Sequence, residues 1–422
     1  MARDKKKETL TPEERLQAAL VPESEQPYKV PANWCWVSLQ TIDQYQASSI
    51  DPSKYPDTLF ELYSVPSSAD NYPEIVLGCE IGSTKQSVQK GDVLLCKINP
   101  RINRVWKVSQ YTESALLASS EWIIIRNSKI VSDYLMHCFR APYFREYMLS
   151  NVSGVGGSLM RAQPKYVKTY PVPVPPLPEQ QRIVDRIESL FARLDEAKQK
   201  AQDALDSFET RKAAILHKAF TGELTAQWRK EHGVGMESWE TKKYSEICNI
   251  VRGGSPRPAG SPEFYGGNIP FMKVADITRN TGPYVNSTEY TIKEAGLKKT
   301  RMVDRNTLLL TNSGATLGVP AICTFKTTFN DGIAAFLGLN PDTLLFHYYF
   351  WTSKTAALRA INKGAAQPNL NTDIIGNVEI SLPRENEQCE IVRLLDNLLA
   401  KEQQAKEAAE GVLEQIDLIK KA

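Results

Sequence analysis

Between Glu179 and Phe220, apolar residues recur every three or four positions: Ile183, Ile187, Leu190, Leu194, Ala197, Ala201, Ala204 and Phe208. The pattern skips Arg211 and returns at Ile215. Alternating steps of four and three are the 3.5-residue period of a coiled-coil seam and predict one long helix. No Gly or Pro lies inside it, and Ala, Glu, Gln, Lys and Arg fill the other faces, as a long solvated helix prefers. About 42 residues at ~1.5 Å each give a rod of roughly 60 Å, which needs a partner. Glu387–Ala422 supplies one. Both stretches open with an EQxxIV motif, and the second carries Ile391, Leu395, Leu398, Ala405, Ala409, Val412, Ile416 and Ile419, with Glu402 the odd member. Laid antiparallel with the alanine layers facing, Ile187 meets Ile419, Leu190 meets Ile416 and Leu194 meets Val412. In the same register Phe208 meets Leu398 and Ile215 meets Ile391. A parallel pairing also gives apolar layers, so the pattern alone leaves direction open.

The rest of the chain divides around these helices. Residues 1–33 form a docking arm, in which Thr11-Pro12-Glu13-Glu14 has the form of a helix N-cap with Pro at the first position. Residues 34–178 form a first globular domain. Its predicted strands are Trp36–Leu39, Leu59–Val65, Asp92–Ile98 and Glu121–Ile125. A helix over Ser132–Ser150 follows, then the loop Gly154-Val155-Gly156-Gly157, and Pro171–Pro178 as a semi-rigid lead into the rod. Residues 179–226 are the central helix with a helix-ending turn at Thr221–Ala226, residues 227–383 a second domain, and residues 384–422 the C-terminal helix. The second domain echoes the order of the first. Trp34…Ile42 matches Trp239…Ile247, Gly91–Lys97 matches Asn306–Asn312, Val172 matches Ile380 and Pro175 matches Pro383. The chain reads as a tandem repeat of domain and helix, of α/β (α+β) class, with variable heads on similar rods.

Composition narrows the function classes. The 422 residues are 42% hydrophobic and 24% charged, an ordinary globular balance with room for two or three domains. Net charge is only +2, so any nucleic-acid binding comes from local patches. The seven cysteines show no CxxC and no His at ligand spacing, which argues against structural zinc and predicts reduced thiols in a cytoplasmic protein. No 18-residue apolar run and no apolar leader segment occur, so neither a membrane span nor secretion is expected. Walker, NPPY-type and FxGxG signatures are missing, and the four histidines are scattered. No catalytic residue, metal ligand or cofactor of its own is expected for this chain.

DNA reading is better provided for. In the first head Lys97, Asn99, Arg101, Asn103, Arg104 and Lys107 interleave with apolar residues after a strand, and Arg161 and Lys165 follow the Gly-rich loop. The second head has Arg252, Ser255 and Arg257 in a basic Gly/Ser loop, with Lys273, Arg279 and Asn280 beside a strand. It also has the polar loops Thr311-Asn312-Ser313-Gly314-Ala315-Thr316 and Gln367-Pro368-Asn369-Leu370-Asn371. Arg and Lys suit phosphates and guanine edges, Asn and Gln suit adenine edges, and glycine lets backbone N–H groups approach phosphates.

Several motifs together carry a family resemblance. They are PPLPEQQRIVDRIESLFARLD at Pro175–Asp195, AFTGELTAQWR at Ala219–Arg229, the second EQxxIV helix, the openings NWCWVSL and ESWETKKYSEI, and RGGSPRP with NIPFMKVADI. With these and the arm TPEERLQAALVPESEQPY, the chain resembles, end to end, the specificity subunits of type I restriction–modification systems. The resemblance implies two target-recognition domains in a pseudo-two-fold arrangement, separated by two long conserved helices paired antiparallel. Each domain is then expected to read one half of a bipartite double-stranded DNA target. Two methyltransferase subunits, which bind S-adenosylmethionine, are expected to dock on the helices, and an endonuclease subunit can join them. The rod would act as a ruler between half-sites about one helical turn apart. Two other classes compete with this reading: a self-sufficient DNA-modification enzyme and a coiled-coil protein-interaction scaffold.

Overall fold

The computed structural model describes residues 11–150, 152–153, 160–314, 316–361 and 370–421. The chain divides into two compact units, Met1–Glu196 with Ile419–Ala422, and Ala197–Leu418. No helix among the described residues is long and apolar enough to cross a membrane.

In the first unit the arm begins with a helix over Pro12–Ala19, closed by a reciprocal capping box between Thr11 and Glu14. The arm then docks on the head, where the Val21 N–H donates to the Trp36 carbonyl and Tyr28 meets Trp36 edge-on. The head closes with a two-stranded antiparallel ribbon, Cys35–Ser38 against Pro171–Val174, with Val37 opposite Val172. Pro171–Pro178 is therefore not the linker its composition predicts. Pro171 and Pro173 are buried in the ribbon, where an edge position spares them a missing N–H. The helix starts at Leu177.

Two sheets fill the head. One is antiparallel, in the order Val105–Lys107, Val93–Cys96, Trp122–Ile125. The other runs Ser49–Ile50, Lys85–Ser87, Ala115–Ala118, Leu59–Tyr63, Glu74–Leu77. The helix predicted over Ser132–Ser150 is two helices, Ser132–Arg140 and Pro142–Ser150. Pro142 has no N–H to continue the ladder, so the break falls before it. Val93, Leu95, Ile123, Phe139, Phe144, Tyr170 and Val172 form the core, and Val184 of the long helix joins them.

The second unit repeats the plan. Glu240–Lys243 pairs antiparallel with Glu379–Leu382, with Lys242 opposite Ile380. A five-stranded sheet runs Asn249–Arg252, Ile333–Leu337, Thr307–Thr311, Pro320–Cys323, Tyr284–Val285, and a four-stranded one Tyr290–Ile292, Tyr265–Met272, Thr327–Phe329, Arg301–Val303. Its main core gathers Tyr244, Leu308, Leu310, Phe336, Phe346 and Trp351 together with Leu216, Ala219, Ile391 and Leu395 of the flanking helices.

The rod is one helix over Leu177–Asp206 and another over Phe208–Phe220, joined at Ser207, where the backbone bonds Ser207 N–H to Asp203 and Arg211 N–H to Ser207 continue the ladder. The Ser207 hydroxyl bonds back to the Asp203 carbonyl at 2.7 Å, and Arg211 reaches the Ala204 carbonyl at 3.2 Å. Side chains that bond back to helix carbonyls this way bend helices. Within the second unit this stretch pairs antiparallel with the C-terminal helix, Glu385–Lys421. Lys198 meets Asp417 at 3.0 Å, and Arg211 meets Glu402 at 2.7 Å.

The register differs from the alanine-on-alanine alignment. Phe208 lies under the ammonium of Lys406, 5.1 Å from the ring centroid, about two turns beyond Leu398. Phe208 and Ile416 are buried, and Ile187, Leu194 and Leu398 are partly buried. Leu190, Val412 and Ile419 are 44%, 39% and 56% exposed, so they do not belong to a closed seam. Part of the heptad pattern serves another purpose, since Ile391 and Leu395 are buried in the head core. Charged side chains with long aliphatic stems, Arg211 and Lys406, occupy the groove instead.

Candidate nucleic-acid interface

In the second head, three loops meet around one turn. The strand Asn249–Arg252 ends in Gly253-Gly254, whose N–H groups donate to the carbonyls of Ile333 (3.0 Å) and Phe329 (3.1 Å). The loop lies flush on the turn Asn330-Asp331-Gly332: a Cβ on Gly253 would come within 2.2 Å of the Asn330 carbonyl oxygen. Arg252 Nε donates to the Asp331 carbonyl at 2.6 Å, and the Ser255 hydroxyl to the Asp331 carboxylate at 2.5 Å. Arg257 stands 3.9 Å from the other carboxylate oxygen, with its side chain 75% exposed. The Asn330 N–H donates to the Met272 carbonyl, which brings in Lys273, and the Asn312 N–H donates to the Gly332 carbonyl, which brings in Ser313. Arg252, Ser255, Arg257, Lys273, Asn312 and Ser313, scattered in sequence, thus converge. Lys273 sits over the Tyr290 ring, 3.2 Å from its centroid.

Other residues of the expected set do structural work. Thr311 is fully buried and closes its own loop, donating to the Thr316 carbonyl at 2.7 Å and accepting from the Val319 N–H at 2.9 Å. Asn312 is only 1% exposed. Asn371 caps the helix Thr372–Gly376, accepting from the Ile374 N–H at 2.7 Å. Asn280 holds its turn through the carbonyls of Gly282 and Tyr284, and Arg279 pairs with Glu289 at 2.9 Å. Thr316 is exposed. Asn369, with Gln367 and Pro368, lies outside the described residues, as do Ala315 and the Gly154–Gly157 loop.

The first head builds a smaller cluster by the same device. The Lys97 N–H donates to the Glu121 carbonyl at 3.0 Å, and the Lys97 carbonyl accepts from the Ala162 N–H at 2.8 Å. In the second head the matching bonds are Asn312 N–H to Gly332, and Leu370 N–H to Asn312. Arg161 bridges Ile98 through its backbone and reaches the Glu121 carboxylate at 3.2 Å. Asn99 and Asn103 both take left-handed backbone conformations, φ +48°, around the single turn Pro100–Ile102 that displays Arg101. Short polar Asn tolerates that conformation. Asn103 donates to the Phe139 carbonyl at 3.0 Å, the Arg104 carbonyl accepts from the Cys96 N–H, and Lys107 pairs with Asp133. Lys107 and Asn103 are therefore committed to the fold. Lys165 lies over the Tyr166 ring at 4.5 Å.

Sequence reasoning missed Asn330, Asp331 and Glu121. The first two stand in Phe329-Asn330-Asp331-Gly332, whose Asn-Asp-Gly run is a turn signal. It also missed the buried network joining the two ends of the second head. Glu387 accepts from Arg229 (2.7 Å), the Thr225 hydroxyl (2.7 Å) and Trp239 Nε1 (3.0 Å), while Arg229 also donates to the Gly222 carbonyl. Trp34 Nε1 makes the equivalent bond to Glu179 at 3.1 Å. Gln180 and Gln388 each donate to a proline carbonyl, Pro175 and Pro383.

Among the described residues no group of three His, Cys, Asp or Glu side chains is placed to hold a metal. Burial pushes the thiols of Cys138 and Cys248 up to about 12, far from the thiolate form a nucleophile needs.

Two heads of different sheet composition, socketed in the same way on two long helices, define a tandem recognition protein. Residues 78–205 and 236–411, more than half of the chain, match the family described as type I restriction modification DNA specificity domain, and the chain belongs to that family. It is 31% identical over 207 residues to the specificity subunit of type I restriction enzyme EcoDI of Escherichia coli, covering 48% of this chain and 45% of that one. The match thus spans less than half of the EcoDI subunit's length. Similarity to the HindI specificity subunit of Haemophilus influenzae is lower, 21%, and extends over 83% of this chain and 90% of that one. The crystal structure of the HsdS subunit from Thermoanaerobacter tengcongensis shares the fold, with a TM-score of 0.65, 23% identity, and coverage of 93% and 98% of the two chains.

Proposed function

We propose that this chain is the non-catalytic specificity subunit of a type I restriction–modification complex, acting in the cytoplasm. Each head reads one half of a bipartite double-stranded DNA target, and the helices serve as spacer and as docking site for two methyltransferase subunits. S-adenosylmethionine belongs to those partners, and an endonuclease subunit can join them. The observation that carries the reading is the duplicated socket. Trp34 with Glu179 and Gln180 with Pro175 recur as Trp239 with Glu387 and Gln388 with Pro383, beneath heads whose sheets differ. A shared mount with divergent heads suits one scaffold that presents two specificities. Exposed apolar side chains on the C-terminal helix, Val412 and Leu418, suit docking of a partner.

The test is a methylome. The chain is co-expressed with the neighbouring adenine methyltransferase in a methylation-free host, and N6-methyladenine is mapped by long-read sequencing. One bipartite motif that requires both genes is the expected result. Methylation from this chain alone would make it an enzyme, and no methylation from an assembled complex would refute the proposal.

A further inference from the structure

In both heads the residue just past a central strand is tied to the turn that begins the next strand, through Lys97 N–H to Glu121 and Asn312 N–H to Gly332. Both turns carry a carboxylate in otherwise basic and polar surroundings. In the first head the Glu121 side chain is 26% exposed; Oε1 accepts from Arg161 at 3.2 Å and keeps a second acceptor site, while Oε2 is buried without a hydrogen-bond partner among the described residues. In the second, Asp331 Oδ1 accepts from Ser255, Oδ2 stands 3.9 Å from Arg257, and the side chain is 46% exposed.

For a surface that binds only phosphates, these carboxylates are misplaced, because they repel the backbone the basic residues attract. Their value lies in what a carboxylate can do and a cation cannot: accept a hydrogen bond from a base. In the major groove that donor is the exocyclic amino group, N4 of cytosine or N6 of adenine. The Arg161 hydrogen bond on Glu121 and the Ser255 hydrogen bond on Asp331 orient each carboxylate without saturating its acceptor sites.

We propose that Glu121 and Asp331 are specificity-determining residues, each accepting from the exocyclic amino group of one base in its half-site, with Arg161 and Ser255 as positioning residues. The proposal rests on the reading that the heads bind DNA.

The experiment is selection from random-sequence duplexes by the purified full-length chain, sequenced for wild type, Glu121→Gln and Asp331→Asn, with Glu121→Ala and Asp331→Ala as a second pair. The near-isosteric variants keep size and remove charge, and a thermal melt confirms that each chain used is folded. Wild type is expected to require C or A at one position in each half. Each variant is expected to change preference at one position of one half by about tenfold and leave the other half intact. Gln and Asn, which carry donor and acceptor together, should favour adenine there. Unchanged base preferences in folded variants, with or without weaker total binding, would overturn the proposal and leave Glu121 and Asp331 as structural ion-pair partners. A wild-type chain that selects no bipartite sequence would overturn the DNA-reading function itself, and the proposal with it.

Discussion

Trp239 Nε1 stands 3.0 Å from the Glu387 carboxylate, joining the first residues of the second head to the start of the C-terminal helix. The same carboxylate neutralises Arg229, and both charged side chains are almost fully buried. Removing one partner leaves the other charge buried and unpaired, which costs about 3–5 kcal/mol. Glu387→Ala is expected to lower the denaturant midpoint of the second unit strongly. Combining it with Arg229→Met should cost less than the two single changes summed. Equilibrium unfolding of the four proteins measures this.

His347 gives stability a pH dependence. Burial lowers its pKa to about 4, and its Nδ1 stands 3.0 Å from the Tyr244 hydroxyl. The unfolded chain takes up this proton near pH 6.5 and the folded chain only near 4. The contribution is complete above about 6.5 and lost as pH falls from there to about 4, at most about 3 kcal/mol. A His347→Gln variant should lose less stability than wild type between pH 7 and pH 4.5 in chemical denaturation.

The basic residues of the first head separate by role. Arg101 is exposed and Lys97 half-buried, whereas Lys107 is held by Asp133. Replacing Lys97 and Arg101 with Ala is expected to weaken DNA binding and flatten its logarithmic salt dependence by up to about 2. Lys107→Ala should leave the salt slope unchanged and cost at most about 1 kcal/mol of stability, as for a partly exposed ion pair. Binding isotherms at several salt concentrations distinguish the two outcomes.

Gly253 is required by contact. Its missing Cβ would strike two backbone oxygens, of Asn330 at 2.2 Å and Phe329 at 2.5 Å. Gly253→Ala is expected to push the Arg252–Arg257 loop off the turn at a cost of about 1–3 kcal/mol. Base selectivity should fall in one half-site and persist in the other, as read by random-duplex selection.

The long helices were legible because their apolar period recurs over many turns, with Arg211 and Glu402 its exceptions. Their register was not, because a heptad position does not say what buries it. Ile391 and Leu395 look like seam residues and are core residues of a head, while Leu190 fits the pattern and is exposed. Strands such as Ser49–Ile50 and Lys85–Ser87 are too short to show alternation. The candidate interface was half visible. Polarity and glycine marked Arg252–Arg257 and Asn312-Ser313, but Thr311 and Asn371 read the same way and serve their own backbone. Asp331 went unnoticed because its importance comes from strand ends far apart in sequence that meet at its turn.

The two closing ribbons have an evolutionary consequence. Val37 lies opposite Val172, and Lys242 opposite Ile380, so the chain enters and leaves each head through a neck of paired strands. Everything that differs between the heads hangs from such a neck as a closed loop. Crossovers between genes at the codons of the neck would replace an entire head in one event and leave the mounting helices as they are. In a protein built this way, one exchange can replace a whole head, where point substitutions would have to accumulate one by one.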